Sequence, residues 1–421
     1  MTLHSEKKGL YHGWWIVVTS LLLMAIVFAA LISLPGVFTI FVTEEFGISR
    51  TTFTTHMTIS TLTSILASFF VGSFFKKYDP KKVMAVCIVI VALCFAGYSF
   101  ATNVYYFYAI SAVIGFVGLF LTNVPISILI NNWFGPRMKG KAMGIAMVGS
   151  GIGAMVLNPI LTSINQNYGW RMSYRLLALL SILLLPVILA TIVKSPEVKG
   201  IQRLGDDLHA VQQHSEDEGM GLTLAQALRS GMFWVLFVTF FLFSATTTIF
   251  NANALPYMTD VGLDPVRAST WMSLSSFGVI LGKLGLGVIS DKRTAKVATT
   301  VAIACLILGL VFLLGVAKVA MLAPIATLLF GLGNANATVT MPLITNDLMG
   351  KRDFSVIFSY VHIAASLGSS FGPLMGAAVY DSTGSYAAAW SADILLMVIM
   401  LVGVYLCYHM KPKLYQKLSI R

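Results

Sequence analysis

The chain has 421 residues, enough for two or three soluble domains, but apolar types make up 57% of it and charged types only 11%, against about 25% charged in ordinary globular proteins. With a mean hydropathy of +0.83 it could not keep a folded surface of that size wet, which excludes a soluble multidomain protein, a disordered chain and a coiled coil. The composition is that of a polytopic membrane protein, and the net charge of +11 has to be read from where the charges lie.

A helix that crosses a bilayer needs about 20 mainly apolar residues. In chain order such stretches fall at 14–40, 52–75, 83–101, 104–131, 140–164, 173–193, 232–257, 267–289, 295–316, 319–346, 354–379 and 386–409. They predict an all-α membrane protein with twelve transmembrane helices. The alternating ten-residue segments of a β-barrel do not occur, and the first run is too long for a cleaved signal peptide. Cys87, Cys94, Cys305 and Cys407 all sit within apolar runs. They read as small hydrophobes, so no disulfide, metal site or cofactor is expected.

With both termini placed in the cytoplasm, 22 of the 28 Lys and Arg residues fall on the inner side. The outer side takes five, Arg50, Arg171, Arg175, Arg267 and Lys318, and Lys283 lies within a span. This asymmetry orients a multi-pass protein of the cell membrane. It also explains the positive charge with no nucleic acid as partner. The polar segment 194–231, with Asp206, Asp207 and Glu216-Asp217-Glu218, reads as a solvated cytoplasmic linker. It separates an N-terminal six-helix bundle, 1–193, from a C-terminal one, 232–421.

The two halves repeat their punctuation. Gly72-Ser-Phe-Phe-Lys76-Lys77 closes span two, and Gly287-Val-Ile-Ser-Asp291-Lys292 closes span eight, 215 residues later. Leu34-Pro35 answers Leu255-Pro256 at an offset of 221, Pro125 answers Pro342 at 217, and Pro159 answers Pro373 at 214. Six spans repeated once in the same orientation fit two parallel halves with a substrate site near the midplane between them.

Over essentially its whole length the chain therefore resembles the major facilitator superfamily. The loops after spans two and eight are similar to that family's G-x-x-x-D-[RK] gating signature. The second copy fits it, whereas the first has Lys76 where the family has Asp. Gly72, Lys77, Gly287, Asp291 and Lys292 are the gating candidates, joined by Asp347 at the inner end of span ten beside Lys351 and Arg352. Gly13-Trp14-Trp15, Asn132-Trp133-Phe134, Lys139-Gly140-Lys141 with Gly149, Gly151 and Gly153, Phe233-Trp234, and Gly372-Pro373 running to Tyr380-Asp381-Ser382-Thr383-Gly384-Ser385-Tyr386 resemble the oxalate/formate exchanger and monocarboxylate transporter branch.

Lys283 stands deep in span eight with no acidic residue three or four positions away. An ionisable residue in lipid costs about 2.5–3.5 kcal/mol even on the lenient insertion scale, so it faces protein or water. Gly278, Gly282, Gly285 and Gly287 are expected to leave space beside it, and a substrate carboxylate would supply its missing charge. The resemblance implies a substrate-binding Arg at this place. Lys is a point charge without the guanidinium fork, and one able to exchange a proton. The plain alternatives are snorkelling or a distant pair with Asp393, itself read as a capping or pairing group near the interface. His362 in span eleven is a second proton candidate, and the bland reading for it and for His56 is a hydrogen-bonded core imidazole. Asn123, Asn334 and Tyr257 complete the substrate-binding candidates, each of which could equally hold helices together.

The expected function is secondary transport of a small organic anion, a monocarboxylate first, by alternating access with proton symport or anion exchange. The partners are that anion, a proton or counter-anion and the bilayer, with a monomer as the simplest assembly. An exporter of neutral or cationic solutes is the alternative, followed by a transporter-like receptor. No nucleophile–base pair suggests an enzyme, and no GxxxxGK[ST] loop suggests ATP.

Overall fold

Backbone N–H and C=O groups in hydrocarbon find no water, so each crossing segment must satisfy them internally, as a helix does. In a computed structural model, which describes residues 11–205, 221–337, 339–350 and 352–417, the described residues form sixteen α-helices and no strand. The side chains of a few helix residues, among them Gly72, Lys76 and Asp291, and the acidic clusters at 206–207 and 216–218 lie outside the described residues.

The first crossing joins α1 (His12–Leu23), a wider π-helical stretch (Met24–Ser33) and α2 (Gly36–Phe46). Then follow α3 (Arg50–Lys77), α4 (Pro80–Tyr98), α5 (Val104–Gly118) with α6 (Asn123–Trp133), α7 (Pro136–Tyr168) and α8 (Trp170–Thr191). After the linker and the short α9 (Leu224–Leu228) come α10 (Gly231–Asp260), α11 (Pro265–Lys292) and α12 (Ala295–Gly315). The last three crossings are α13 (Ala323–Asn334) with α14 (Thr340–Met349), α15 (Phe354–Thr383) and α16 (Ala387–Lys417).

Eleven of these segments are long and apolar enough to cross a membrane. The other is α3, whose apolar character is diluted by threonines. Several of their hydroxyls turn back onto the helix, Thr54 to the Arg50 carbonyl, Thr61 to Met57 and Thr63 to Ile59, at 2.9–3.0 Å, so these three carry no unmet polarity into the bilayer. Short loops reset the chain with side-chain caps: Ser49 accepts from the Thr52 N–H, Asp79 from Lys81, Ser230 from Phe233, Asp264 from Arg267 and Thr294 from Val297. Each cap satisfies a donor that a helix start leaves open.

The halves pack alike. In the first, α3 lies on α5, α4 on α8 and α7 on α1; in the second, α11 lies on α13, α12 on α16 and α15 on α10. Across the molecule α7 meets α11 and α3 meets α15. Large apolar side chains such as Phe69, Leu93 and Leu284 are about two-thirds exposed. In each span's most apolar window only 33–61% of residues are buried inside the protein, so the remaining apolar surface has lipid to face.

Small residues set the closest approaches. A Cβ at Gly149 would stand 2.2 Å from the Leu21 carbonyl oxygen, and one at Gly153 1.8 Å from that of Ala25, while Gly151 faces Ile280 and Ser276 of the other half. Gly278 and Gly282 are filled by the α13 backbone, contrary to the expectation of space there, while Gly285 and Gly287 have nothing within 4 Å.

The linker is fastened at both described ends. The Gly135 N–H donates to the Leu204 carbonyl at 2.9 Å, and the Leu204 N–H donates to that of Trp133 at 3.2 Å. At the far end the Leu222 N–H donates to the Met349 carbonyl at 2.8 Å, and the Leu224 N–H to Asp353 at 2.7 Å.

Gly153→Val is expected to destabilise the protein by about 1–3 kcal/mol or to prevent folding, because it forces α7 off the π stretch at Ala25. Gly144→Ala, with nothing within 4 Å, should leave the thermal midpoint of the purified protein unchanged.

Candidate functional site

A proline lacks the N–H that a helix needs and collides with the carbonyl four residues before it. Pro125 and Pro342 do this at matching places. Span four is interrupted between Gly118 and Asn123, and span ten between Asn334 and Thr340. The other punctuating prolines act differently: Pro159, Pro256 and Pro373 lie inside unbroken helices, and Pro35 parts α1 and its π stretch from α2. Irregular backbone at membrane depth is tolerated only where protein buries it or an aqueous cavity meets it. Asn123 and Asn334 stand at these two interruptions, Asn123 exposed and Asn334 half-buried.

Lys283 is half-buried on α11. Ser276, Ile280, Lys283 and Gly287 share one helical stripe by their spacing, and Ile280 and the Ser276 carbonyl pack on Gly151 of α7, where an added Cβ would stand 3.1 and 3.4 Å from them. Lys283 therefore lies on the face of α11 that packs toward the other half. Among the described residues no carboxylate forms an ion pair with it. Asp393, the distant partner considered, is 1% exposed on α16, and its Oδ2 has no hydrogen-bond partner among the described residues.

His362 is exposed on α15, its Nδ1 3.4 Å from the Ser366 hydroxyl. Counted at 1.5 Å per residue from the linker-side ends of their helices, Lys283, His362 and Asn123 lie at similar depths, about 12–15 Å. His56, by contrast, is buried, with Nδ1 2.6 Å from the Phe53 carbonyl. Tyr257 does not join the group: it is 4% exposed and its hydroxyl donates to the Leu313 carbonyl at 3.2 Å. That bond commits it to the core of the second half.

The gating candidates divide. Lys77 and Lys292 are exposed, the Lys77 ammonium 5.4 Å from the centre of the Tyr78 ring. Of Gly72 and Asp291 only the helical backbone is described. Asp347 accepts from the Tyr408 hydroxyl at 2.6 Å and from Lys411 at 2.9 Å, so it clamps α14 to α16 within one half.

Among the described residues, the ion pair that crosses between the halves involves none of these. Arg50, at the start of α3, donates through two nitrogens to the two oxygens of Asp260 at the end of α10, at 2.7 and 2.8 Å. The same guanidinium lies 4.0 Å from the centre of the Tyr380 ring and donates to the Tyr386 hydroxyl at 3.3 Å. Next to it the Thr51 N–H donates to Asp381 at 2.9 Å. Burial works against the Arg50 charge, but Asp260 and Tyr386 outweigh it and hold the guanidinium above its ordinary range. Deeper on this side, the Thr58 hydroxyl donates to the Ser370 carbonyl at 2.7 Å, and Gly36 packs on the Asn251 and Ala252 carbonyls.

The described contacts thus join the halves on the Arg50 face, and Lys283, His362 and Asn123 lie toward the linker face. Sequence reading assigned Arg50 only as an outer charge. The signal was present as an Arg opening span two and an Asp closing span seven, but only packing pairs them. Arg171 is likewise held, by Glu45 at 2.6 Å.

Over 317 aligned residues the chain is 25% identical to monocarboxylate transporter 12-B of Danio rerio, covering 69% of this chain and 65% of that protein. It is 22% identical to monocarboxylate transporter 13 of Bos taurus over 386 residues, with 90% and 85% covered. The fold is similar to a crystal structure of the nucleoside transporter NupG, with a TM-score of 0.75 at 13% identity over 94% of this chain and all of that one. Residues 20–353 match the family model of the Major Facilitator Superfamily, and with the paired halves and broken spans described above, the chain belongs to that superfamily of transporters.

Proposed function

We propose that this transporter carries a small organic anion, a monocarboxylate first, by alternating access through a crevice between its halves. The observation that carries this reading is Lys283, a half-buried lysine on the face of α11 toward the other half, with no carboxylate partner among the described residues. A substrate carboxylate would neutralise it through charge-assisted hydrogen bonds. The monocarboxylate transporters among the relatives support the same substrate class.

Asn123 and Asn334, at the interruptions of spans four and ten, would orient the substrate through amide hydrogen bonds. Lys283 and His362 are the groups that could exchange a proton, which suits proton symport, while a lone ammonium that needs an anion in every state suits exchange. Arg50 and Asp260 form the gate on one face in this reading. The distribution of Lys and Arg supports both termini and the linker on the cytoplasmic side of the cell membrane, which makes the Arg50 face the outer one.

The experiment is uptake of labelled lactate, formate and oxalate into proteoliposomes. Lys283→Ala is expected to lose about tenfold or more, because a hydrogen bond to a charged group contributes roughly 1.5–3 kcal/mol. Uptake unchanged by the substitution would remove Lys283 from the site. A wild-type protein that moves no organic anion would remove the substrate class.

The gate has its own test. With the native cysteines replaced, a cysteine at Thr58 lies just beneath the Arg50 contacts. Arg50→Ala should raise its labelling by an impermeant maleimide from the Arg50 face by about tenfold, since a bidentate charged contact is lost. An unchanged rate would mean that the ion pair does not keep this face closed.

A further inference from the structure

Away from the inter-half crevice, a groove of about 660 Å³ opens between the start of α12 and the last turns of α16. Its inner wall is Leu401 and Val402, followed one turn toward the linker face by Leu406. Next come Tyr405 and Tyr408, and Lys296 and His409 stand at the mouth. From residue 401 to 409 this gradient from hydrocarbon to cation covers about 12 Å. Val402, Tyr405 and Leu406 are about half exposed, so the groove faces outward from the bundle, where lipid lies.

The cation at the mouth has aromatic faces and, among the described residues, no counter-charge. The Lys296 ammonium lies 4.1 Å from the centre of the Tyr405 ring and 5.4 Å from that of Tyr408. The nearby carboxylate of Asp347 is already taken, one oxygen by the Tyr408 hydroxyl and the other by Lys411. Among the described residues no carboxylate pairs with Lys296. Lys292 and Arg293 lie exposed just before it, and the Lys413 ammonium stands 3.2 Å from the His409 ring.

Basic pockets between membrane helices at the interface are suited to anionic lipid headgroups. Here one wall adds a slot for an acyl chain directly below the charge. We propose that this groove is a binding site for an anionic phospholipid, its phosphate on Lys296 between the two tyrosine rings and an acyl chain along Leu401, Val402 and Leu406. Occupancy bridges α12 and α16, the two peripheral helices of the second half, and so braces the bundle that Asp347 already clamps to α16. The site is independent of the substrate reading, because it shares no residue with the crevice.

The test is the thermal midpoint of the whole purified transporter in neutral detergent, titrated separately with dioleoylphosphatidylglycerol, dioleoylphosphatidylcholine and inorganic phosphate. Phosphatidylglycerol is expected to raise the midpoint saturably, and the other two are not. Lys296→Gln should raise the half-saturating phosphatidylglycerol concentration by about fivefold, the scale of one basic residue at a lipid surface, while Lys296→Arg keeps the response. Val402→Trp, which fills the slot and leaves the charge, should weaken it as well. Lys318→Gln removes an equal charge at the other end of α12 and should change nothing. The proposal is overturned if phosphatidylcholine matches phosphatidylglycerol, if inorganic phosphate alone reproduces the shift, if Lys296→Gln responds like wild type, or if Lys318→Gln weakens the response as much as Lys296→Gln does.

Discussion

A backbone in hydrocarbon must bond to itself, and this single demand decides where the chain can depart from a helix. Most crossings obey it without interruption, even α3, where the hydroxyls of Thr54, Thr61 and Thr63 return to carbonyls of the preceding turn. The interruptions at Leu119–Thr122 and Ala335–Val339 need protein or water around them. They occur at equivalent places in the two halves, beside Pro125 and Pro342.

Close packing supplies the second constraint. Gly149 and Gly153 bring α7 onto α1 and the π stretch that follows it, while Gly151 between them brings it onto α11 of the other half, so one short run serves both the bundle and the seam. Gly368 and Gly372 do the same for α15 on α10. With no hydrophobic drive between helices in lipid, such backbone approach and the few interhelical hydrogen bonds carry association.

Polar contacts are unevenly divided between the faces. At one end Arg50 gathers Asp260, Tyr380 and Tyr386 into a partly buried cluster that crosses the seam. At the other, the described polar contacts stay within a half. Asp347 binds α16, Trp133 donates to the Val193 carbonyl, and the linker ends fasten to their own bundles. Among the described residues, one face is thus tied across the halves and the other only within them, and Lys283 lies toward the second.

The sequence by itself determined the class of fold, because composition and twelve apolar stretches leave helices as the only way to satisfy the backbone in lipid. It also determined the repeat, through prolines and loop signatures at nearly constant offsets, and it singled out Lys283 by the cost of a charge at depth. Partnership was beyond it. Tyr257 and Asn123 look alike as polar residues in spans, yet one hydroxyl is spent on an α12 carbonyl and the other side chain is exposed at a break. Arg50 and Asp260 are 210 positions apart, and Gly278 and Gly282 read as space until α13 fills them. Propensity and hydropathy are local and survive in the string of residues. Which polar group meets which depends on the rotation of each helix about its axis, and that is fixed only when all the helices pack together.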